Sequence, residues 1–219
     1  MKKRLIIAVG LLILLSTYTA KNYFNLIPQY NISKLIIQNN DILNKEELIN
    51  QLSFLKNKNI IFLQTREIKN KLEKFDFIES FEIKKIYPDT IKIKIFEKKP
   101  IIILQYKEKK YYYTSKNNFI NFIELNKFKN LPVAFGDKKN FQTFYNQIKK
   151  INFPINTIEK FYLYESKRWD LITKKKQTIK LPVKNYEISL KNFVTIENQN
   201  NFKKYKLFDY RIRDQLILK

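Results

Sequence analysis

The sequence predicts an α+β chain in three parts: an apolar amino-terminal helix, a small unit ordered strand, helix, helix, strand, strand, and a larger β-rich region of mixed or antiparallel sheet with flanking helices. Three observations lead there. Leu5 to Ala20 is a run of sixteen residues without a charge, preceded by Lys2-Lys3-Arg4. Between Ile32 and Ile95 the apolar period changes from two to about 3.6 and back to two. After Pro100, short alternating runs separated by polar turns dominate, broken by two stretches of helical spacing.

At a helical rise of 1.5 Å per residue the uncharged run makes about 24 Å of apolar rod. Lys21 can snorkel from its end, and Tyr18, Tyr23 and Phe24 stand where an interfacial aromatic belt belongs. A cleaved export signal is the competing reading, with a core from Leu5 to Leu15. Cutting after Ala20 puts the bulky Tyr18 where a small residue is needed, so an uncleaved anchor over 5–22 with a cytoplasmic tail of 1–4 is expected. Everything beyond Lys21 is then exported. With no Cys, the exported part has to be stabilised by core burial.

Ile32 to Gln38, rich in branched apolar residues and followed by Asn39-Asn40-Asp41, reads as a strand ending in a turn. Asn44 can cap a helix, with Glu47 completing a capping box and Leu48, Ile49, Leu52 and Leu55 on one stripe. Thr65 can cap a second, with Ile68, Leu72 and Phe75 inside. Phe81, Ile83 and Ile86 then alternate with charged neighbours, Tyr87-Pro88-Asp89-Thr90 turns the chain, and Ile91, Ile93 and Ile95 return. Pro88 presets a turn angle, Asp89 can bond the backbone ahead, and Thr90 opens a β-prone run.

That order, with the stretch from Phe77 to Pro100 and its basic-aromatic-Pro-Asp-Thr turn, resembles a POTRA domain, here over residues 30–98, and more narrowly the FtsQ/DivIB cell-division family. The resemblance implies that 99–219 is the family's carboxyl-terminal β domain. Ile101 to Tyr106 and Lys110 to Thr114 read as strands, and Ser115-Lys116-Asn117-Asn118 stands where the family usually has a turn bearing Asp and Gly. Leu131 to Gly136 resembles the family's Leu-Pro-x-x-x-Gly element, and Gly136 is expected at a backbone angle forbidden to other residues. Asn140 to Ile151 spaces Phe141, Phe144, Tyr145 and Ile148 as an amphipathic helix on a sheet. Phe161 to Leu163, Trp169 to Thr173 and Ile179 to Leu181 read as strands, and Ile188 to Ile196 as a last helix. Arg168 can stack on a ring or meet a partner's carboxylate.

Tyr205 to Ile212 resembles the family's Asp-Leu-Arg element, and Gln215 to Leu218 its closing strand. An edge strand offers unpaired amides and carbonyls to another chain. The resemblance implies that a companion division protein adds a strand here. Asp209 then orients the turn, Arg211 pairs with a partner's acidic residue, Ile212 supplies apolar contact, and Gln215, Leu216, Ile217 and Leu218 form the receiving edge. It further implies a single-pass inner-membrane division protein, largely periplasmic and gathered at the septum. Its role would be to connect early cytoplasmic components to late septal wall synthesis through membrane partners resembling FtsB and FtsL.

Composition narrows the alternatives. Among 219 residues there is no His, no Cys and only two Gly, Gly10 and Gly136. Imidazole- or thiolate-based catalysis, the usual transition-metal sites and glycine-rich phosphate loops are therefore excluded, and neither cofactor nor small-molecule substrate is expected. The net charge of +23 suggests nucleic acid, but 38 Lys, 33 Ile and 24 Asn are what an A and T-rich genome imposes, and only five basic residues are Arg. Nucleic acid is therefore not an expected partner. A POTRA-containing chaperone or translocation factor is the alternative role, though no second copy of the 32–97 pattern is present. A carboxylate-pair wall hydrolase is another, though none of the seven Asp and thirteen Glu stands in a recognisable acid and nucleophile setting.

Overall fold

Lys2–Thr17 forms α1, sixteen residues with no proline and no apolar face distinct from the rest. Its side chains are exposed all round, Leu5 and Leu12 at 69% and Leu15 at 71%, so nothing in the described chain covers them. The computed structural model describes residues 2–17 and 30–219. Tyr18, Ala20, Lys21, Tyr23 and Phe24, and with them the end of the expected 5–22 anchor, lie outside the described residues. Among the described residues no helix is long and apolar enough to cross a membrane. From Tyr30 onward the chain forms two units, divided between Glu97 and Lys98.

In the first unit β1 (Lys34–Gln38) is followed by α2 (Lys45–Gln51), α3 (Thr65–Leu72), β2 (Ile78–Ile86) and β3 (Thr90–Glu97). The sheet order is β1-β3-β2, with β1 parallel and β2 antiparallel to the central strand. Ile91, Ile93 and Ile95 on β3 are fully buried and pack with Leu48, Ile68 and Leu72 of the helices. That burial binds helices too short to persist alone.

Local chemistry departs from expectation at several points. Asn44 caps α2, but through the Glu46 amide, at 2.8 Å. Glu97 instead accepts the amides of Asp41, Ile42 and Leu43 at 2.8 to 3.1 Å, tying the end of β3 to the entry of α2. Thr65 is the first helical residue of α3 and Gln64 occupies the cap without a side-chain bond. Ile49 and Ile86 turn outward. At the end of β2 it is Lys85 that takes the inward register, its Nζ donating to the carbonyls of Leu63 at 2.8 Å and Ile61 at 3.3 Å. The Tyr87–Pro88 peptide is cis. The Asp89 carboxylate accepts the hydroxyls of Thr90, at 2.8 Å, and Ser33, and these hydroxyls, Ser33's first, hold its pKa below the usual range.

The second unit adds β4 (Pro100–Tyr106), β5 (Lys109–Thr114), β6 (Phe119–Asn121), β7 (Val133–Phe135), α4 (Lys138–Lys150), β8 (Ile158–Leu163), β9 (Trp169–Thr173), β10 (Thr178–Lys180), α5 (Tyr186–Glu197), β11 (Leu207–Asp209) and β12 (Ile217–Leu218). They make one mixed sheet ordered β12-β11-β10-β9-β8-β7-β4-β5-β6. The parallel pairs β7/β8 and β10/β11 require crossovers, which α4 and α5 supply. Asp137 caps α4 by accepting the Asn140 amide at 3.0 Å. Phe141, Phe144, Tyr145 and Ile148 are buried, and Phe144 stacks on Trp169 with centroids 4.7 Å apart.

Gly136 does not adopt a positive φ. Its requirement is space: a Cβ there stands 2.9 Å from Leu163 Cβ and 3.1 Å from Trp169 Cη2. Left-handed backbone falls instead to nine other described residues, among them five Asn and the lysines Lys107, Lys167 and Lys176. Asn117 does so in the Ser115 to Asn118 turn, accepting the Tyr113 hydroxyl at 3.0 Å.

Candidate partner-binding edge

Register creates a row of charge across three strands. β9 runs antiparallel to β10 and sets Asp170 level with Lys180, and β11 runs parallel to β10 and sets Asp209 level with Lys180. Side chains two residues apart share a face of a strand. Arg168 therefore meets Asp170, its Nε donating to Oδ1 at 3.0 Å, while the guanidinium lies 4.4 Å from the centre of the Tyr164 ring. Arg211 meets Asp209 through two nitrogens, Nε to Oδ1 at 2.8 Å and Nη2 to Oδ2 at 2.6 Å. Both carboxylates are buried, and each is paired with an arginine, as a buried charge requires. The Arg211 side-chain hydrogen bonds, helped by its amide, its charge and Lys180, hold the Asp209 carboxyl below the usual range despite burial.

Asp209 also accepts the Arg211 amide at 3.1 Å, which bends the chain out of β11. The next residue inward, Tyr210, donates its hydroxyl to Asn192 Oδ1 on α5 at 2.9 Å, and burial pushes that hydroxyl's pKa well up. The chain then loops outward through Ile212 and Arg213 and comes back as β12. Between this loop and the start of α5 runs an open groove of about 800 Å³, with Pro182, Val183 and Ile188 on one side and Ile212, Gln215 and Leu216 on the other. Val183, Ile188 and Ile212 are exposed apolar side chains.

β12 ends the sheet. Leu207 and Lys219 exchange both backbone bonds, at 2.9 and 3.2 Å, so Phe208 and Leu218 form the adjacent pair without ladder bonds. In an antiparallel ladder the amide and carbonyl of Leu218 then point away from β11. No described strand lies on that side.

The sequence-singled residues thus divide. Asp209, Arg211 and Arg168 come together in the charge row, where the acidic partners of both arginines belong to their own chain. Ile212, Gln215 and Leu216 wall the groove, and Ile217 and Leu218 form β12. The expected strand from Gln215 shortens because the chain is still turning: Asp214 has a φ of 57° and the Gln215 amide bonds the Ile212 carbonyl at 3.3 Å. Pro88, Asp89 and Thr90 hold the β2–β3 turn of the first unit, and Gly136 follows β7. Asp170, Lys180, Val183 and Ile188 were not singled out as functional. A signal for the first existed in the mirrored pairs Arg168-Trp169-Asp170 and Asp209-Tyr210-Arg211; none marked the groove, which depends on where α5 lies.

A small β-α-α-β-β unit followed by a nine-stranded mixed sheet defines a POTRA-bearing class of chain. Residues 30–98 match the family model for the FtsQ-type POTRA domain. The cell division protein FtsQ of Rickettsia bellii is 27% identical over 199 residues, spanning 86% of this chain and 72% of its own. DivIB of Clostridium tetani is 26% identical over 188 residues, spanning 85% and 65%. The major extracytoplasmic domain of DivIB from Geobacillus stearothermophilus aligns over 48% of this chain and 96% of its own, with 10% identity and a TM-score of 0.35, a likeness that decides nothing further. Residues 30–98 are thus similar to the FtsQ-type POTRA domain, and the chain as a whole is similar to cell-division proteins FtsQ and DivIB.

Proposed function

We propose that this protein is a non-enzymatic, single-pass division protein of the inner membrane. α1 and the residues after it serve as its anchor, the bulk of the chain lies in the periplasm, and the molecule acts at the septum. It holds other membrane division proteins, resembling FtsB and FtsL, and through them connects early cytoplasmic components to septal wall synthesis. Binding occurs in part by strand addition to β12. The observation that carries this reading is the outward-facing Leu218 backbone on an unpartnered edge beside an apolar groove. A guest of the right chemistry has a short β-prone segment to pair with β12 and an apolar side chain to enter the groove. Its acidic residues would lie near Arg211, whose side chain keeps 44% of its exposure despite the bond to Asp209.

The test uses the full chain in lipid nanodiscs, with Leu218→Cys in a protein that has no other thiol. Disulfide trapping of a single-Cys partner segment should give one register in strand-like alternation. Cross-links scattered without a two-residue period would refute strand addition. Localisation separates the division role from handling of envelope polypeptides: a fluorescent fusion of the full chain should gather at midcell, and even labelling of the envelope would favour the alternative.

A further inference from the structure

In the first unit, Ile60 and Leu63 are buried while the two residues between them, Ile61 and Phe62, project outward at 47% and 80% exposure. Slackness does not explain this. The Ile61 amide donates to Asn59 Oδ1 at 2.9 Å, and Lys85 Nζ clamps the carbonyls of Ile61 and Leu63. A firmly held turn thus presents the most exposed large apolar side chain of those described.

Its place in the chain says what lies near it. Asn31 and Asn59 form an antiparallel bridge, the Ile60 amide donates to the Tyr30 carbonyl at 2.8 Å, and the Ile32 amide to the Lys58 carbonyl at 2.9 Å. Following the chain from Ile32 back to Tyr30, toward the anchor, therefore runs in the same direction as following it from Lys58 to Ile60 and on to Phe62. The tip follows Ile60 by two residues, at the end of the unit where the described chain begins with Tyr30. Twelve residues separate Thr17 from Tyr30; they carry one charge, Lys21, and include Tyr18, Tyr23, Phe24, Leu26 and Ile27, a composition suited to an interface. Within six residues of Phe62 in the sequence, Lys56 and Arg66 are exposed, and neither forms an ion pair among the described residues.

We infer that the Ile61–Phe62 turn inserts into the outer face of the bilayer in which the chain is anchored, with Lys56 and Arg66 on acidic lipid headgroups. The inference rests on the anchor reading of the amino-terminal segment. A second contact with the lipid surface fixes the tilt of the first unit at the membrane, which a single point of attachment does not.

The full chain, in liposomes of phosphatidylcholine and phosphatidylglycerol, tests this with Phe62→Cys carrying an environment-sensitive fluorophore and Ser80→Cys, exposed on β2, as the reference. Retention after an alkaline carbonate wash reports the anchor separately. The expected result is retention, a blue-shifted emission at 62, and quenching by spin-labelled lipid several-fold stronger at 62 than at 80. With the label at Ile61→Cys instead, adding Phe62→Asp should return the emission to that of a site in water. Retention with equal, weak quenching at both positions overturns the docking and leaves the anchor standing. Shielding at 62 without lipid quenching means that protein covers the tip, and also overturns it. Loss of the chain in the wash removes the anchor and the docking together.

Discussion

Leu218→Pro tests whether a guest chain pairs with the backbone of β12 or only packs on its side chains. The Leu218 amide points away from β11, so proline removes a donor that the molecule itself does not use. Leu207 and Lys219 keep their reciprocal bonds, and an edge position is where a strand tolerates proline. For an incoming strand the change is severe, because one donor is gone and ring carbons stand in the path of approach. Leaving a guest carbonyl unpaired costs about 1–3 kcal/mol, which is roughly 5- to 150-fold in Kd. Leu218→Ala keeps the amide and should cost less. Calorimetric titration of the full chain in nanodiscs with a partner's extracytoplasmic segment measures both, and Trp169 fluorescence checks the fold. A Leu218→Pro protein that is folded and binds as tightly as the parent would refute backbone pairing at this edge.

Gly136→Ala forces a Cβ to 2.9 Å from Leu163 Cβ, and should destabilise the second unit by about 1–3 kcal/mol in denaturant unfolding followed by Trp169. Phe208→Ala empties a fully buried site packed edge-on against Phe193, and about 3–5 kcal/mol should be lost in the same measurement. The Asp209 carboxyl titrates lower in the folded state than when unfolded, so its contribution is complete above about pH 4 and disappears as pH falls through the folded value. Asp209→Asn should therefore flatten the acid side of the stability curve, and an unchanged acid midpoint together with unchanged neutral stability would contradict the pairing with Arg211.

The order of strands and helices was legible because it is written in apolar period, which depends on neighbours close in sequence. Phe141, Phe144, Tyr145 and Ile148 announce α4 by spacing alone, and Ile91, Ile93 and Ile95 announce β3. What escaped depends on residues far apart. Glu97 reaching back to Asp41 and its neighbours cannot be read from either segment, nor can the capture of Asp89 by Ser33. Ile86 faces outward because the parity set by Phe81 and Ile83 falls next on Lys85, and what the sequence hides is that Lys85 has two carbonyls to bind across the fold. At the candidate edge, Asp209, Arg211 and the last strand were visible as residue types in order. The pairing of Arg211 with its own Asp209, and the level placement of Asp170, Lys180 and Asp209, required the register of three strands.

Lys107, Lys167 and Lys176 each close a turn in a conformation where a side chain crowds the following carbonyl. Glycine avoids that crowding, yet the polypeptide contains only two, and long cationic residues stand at corners that glycine could fill. Each such corner holds back up to about 1 kcal/mol that glycine would return, less its larger entropy in the unfolded chain. The protein thus runs below the stability its topology permits, and its bends offer an engineer sites for hardening it without touching β12.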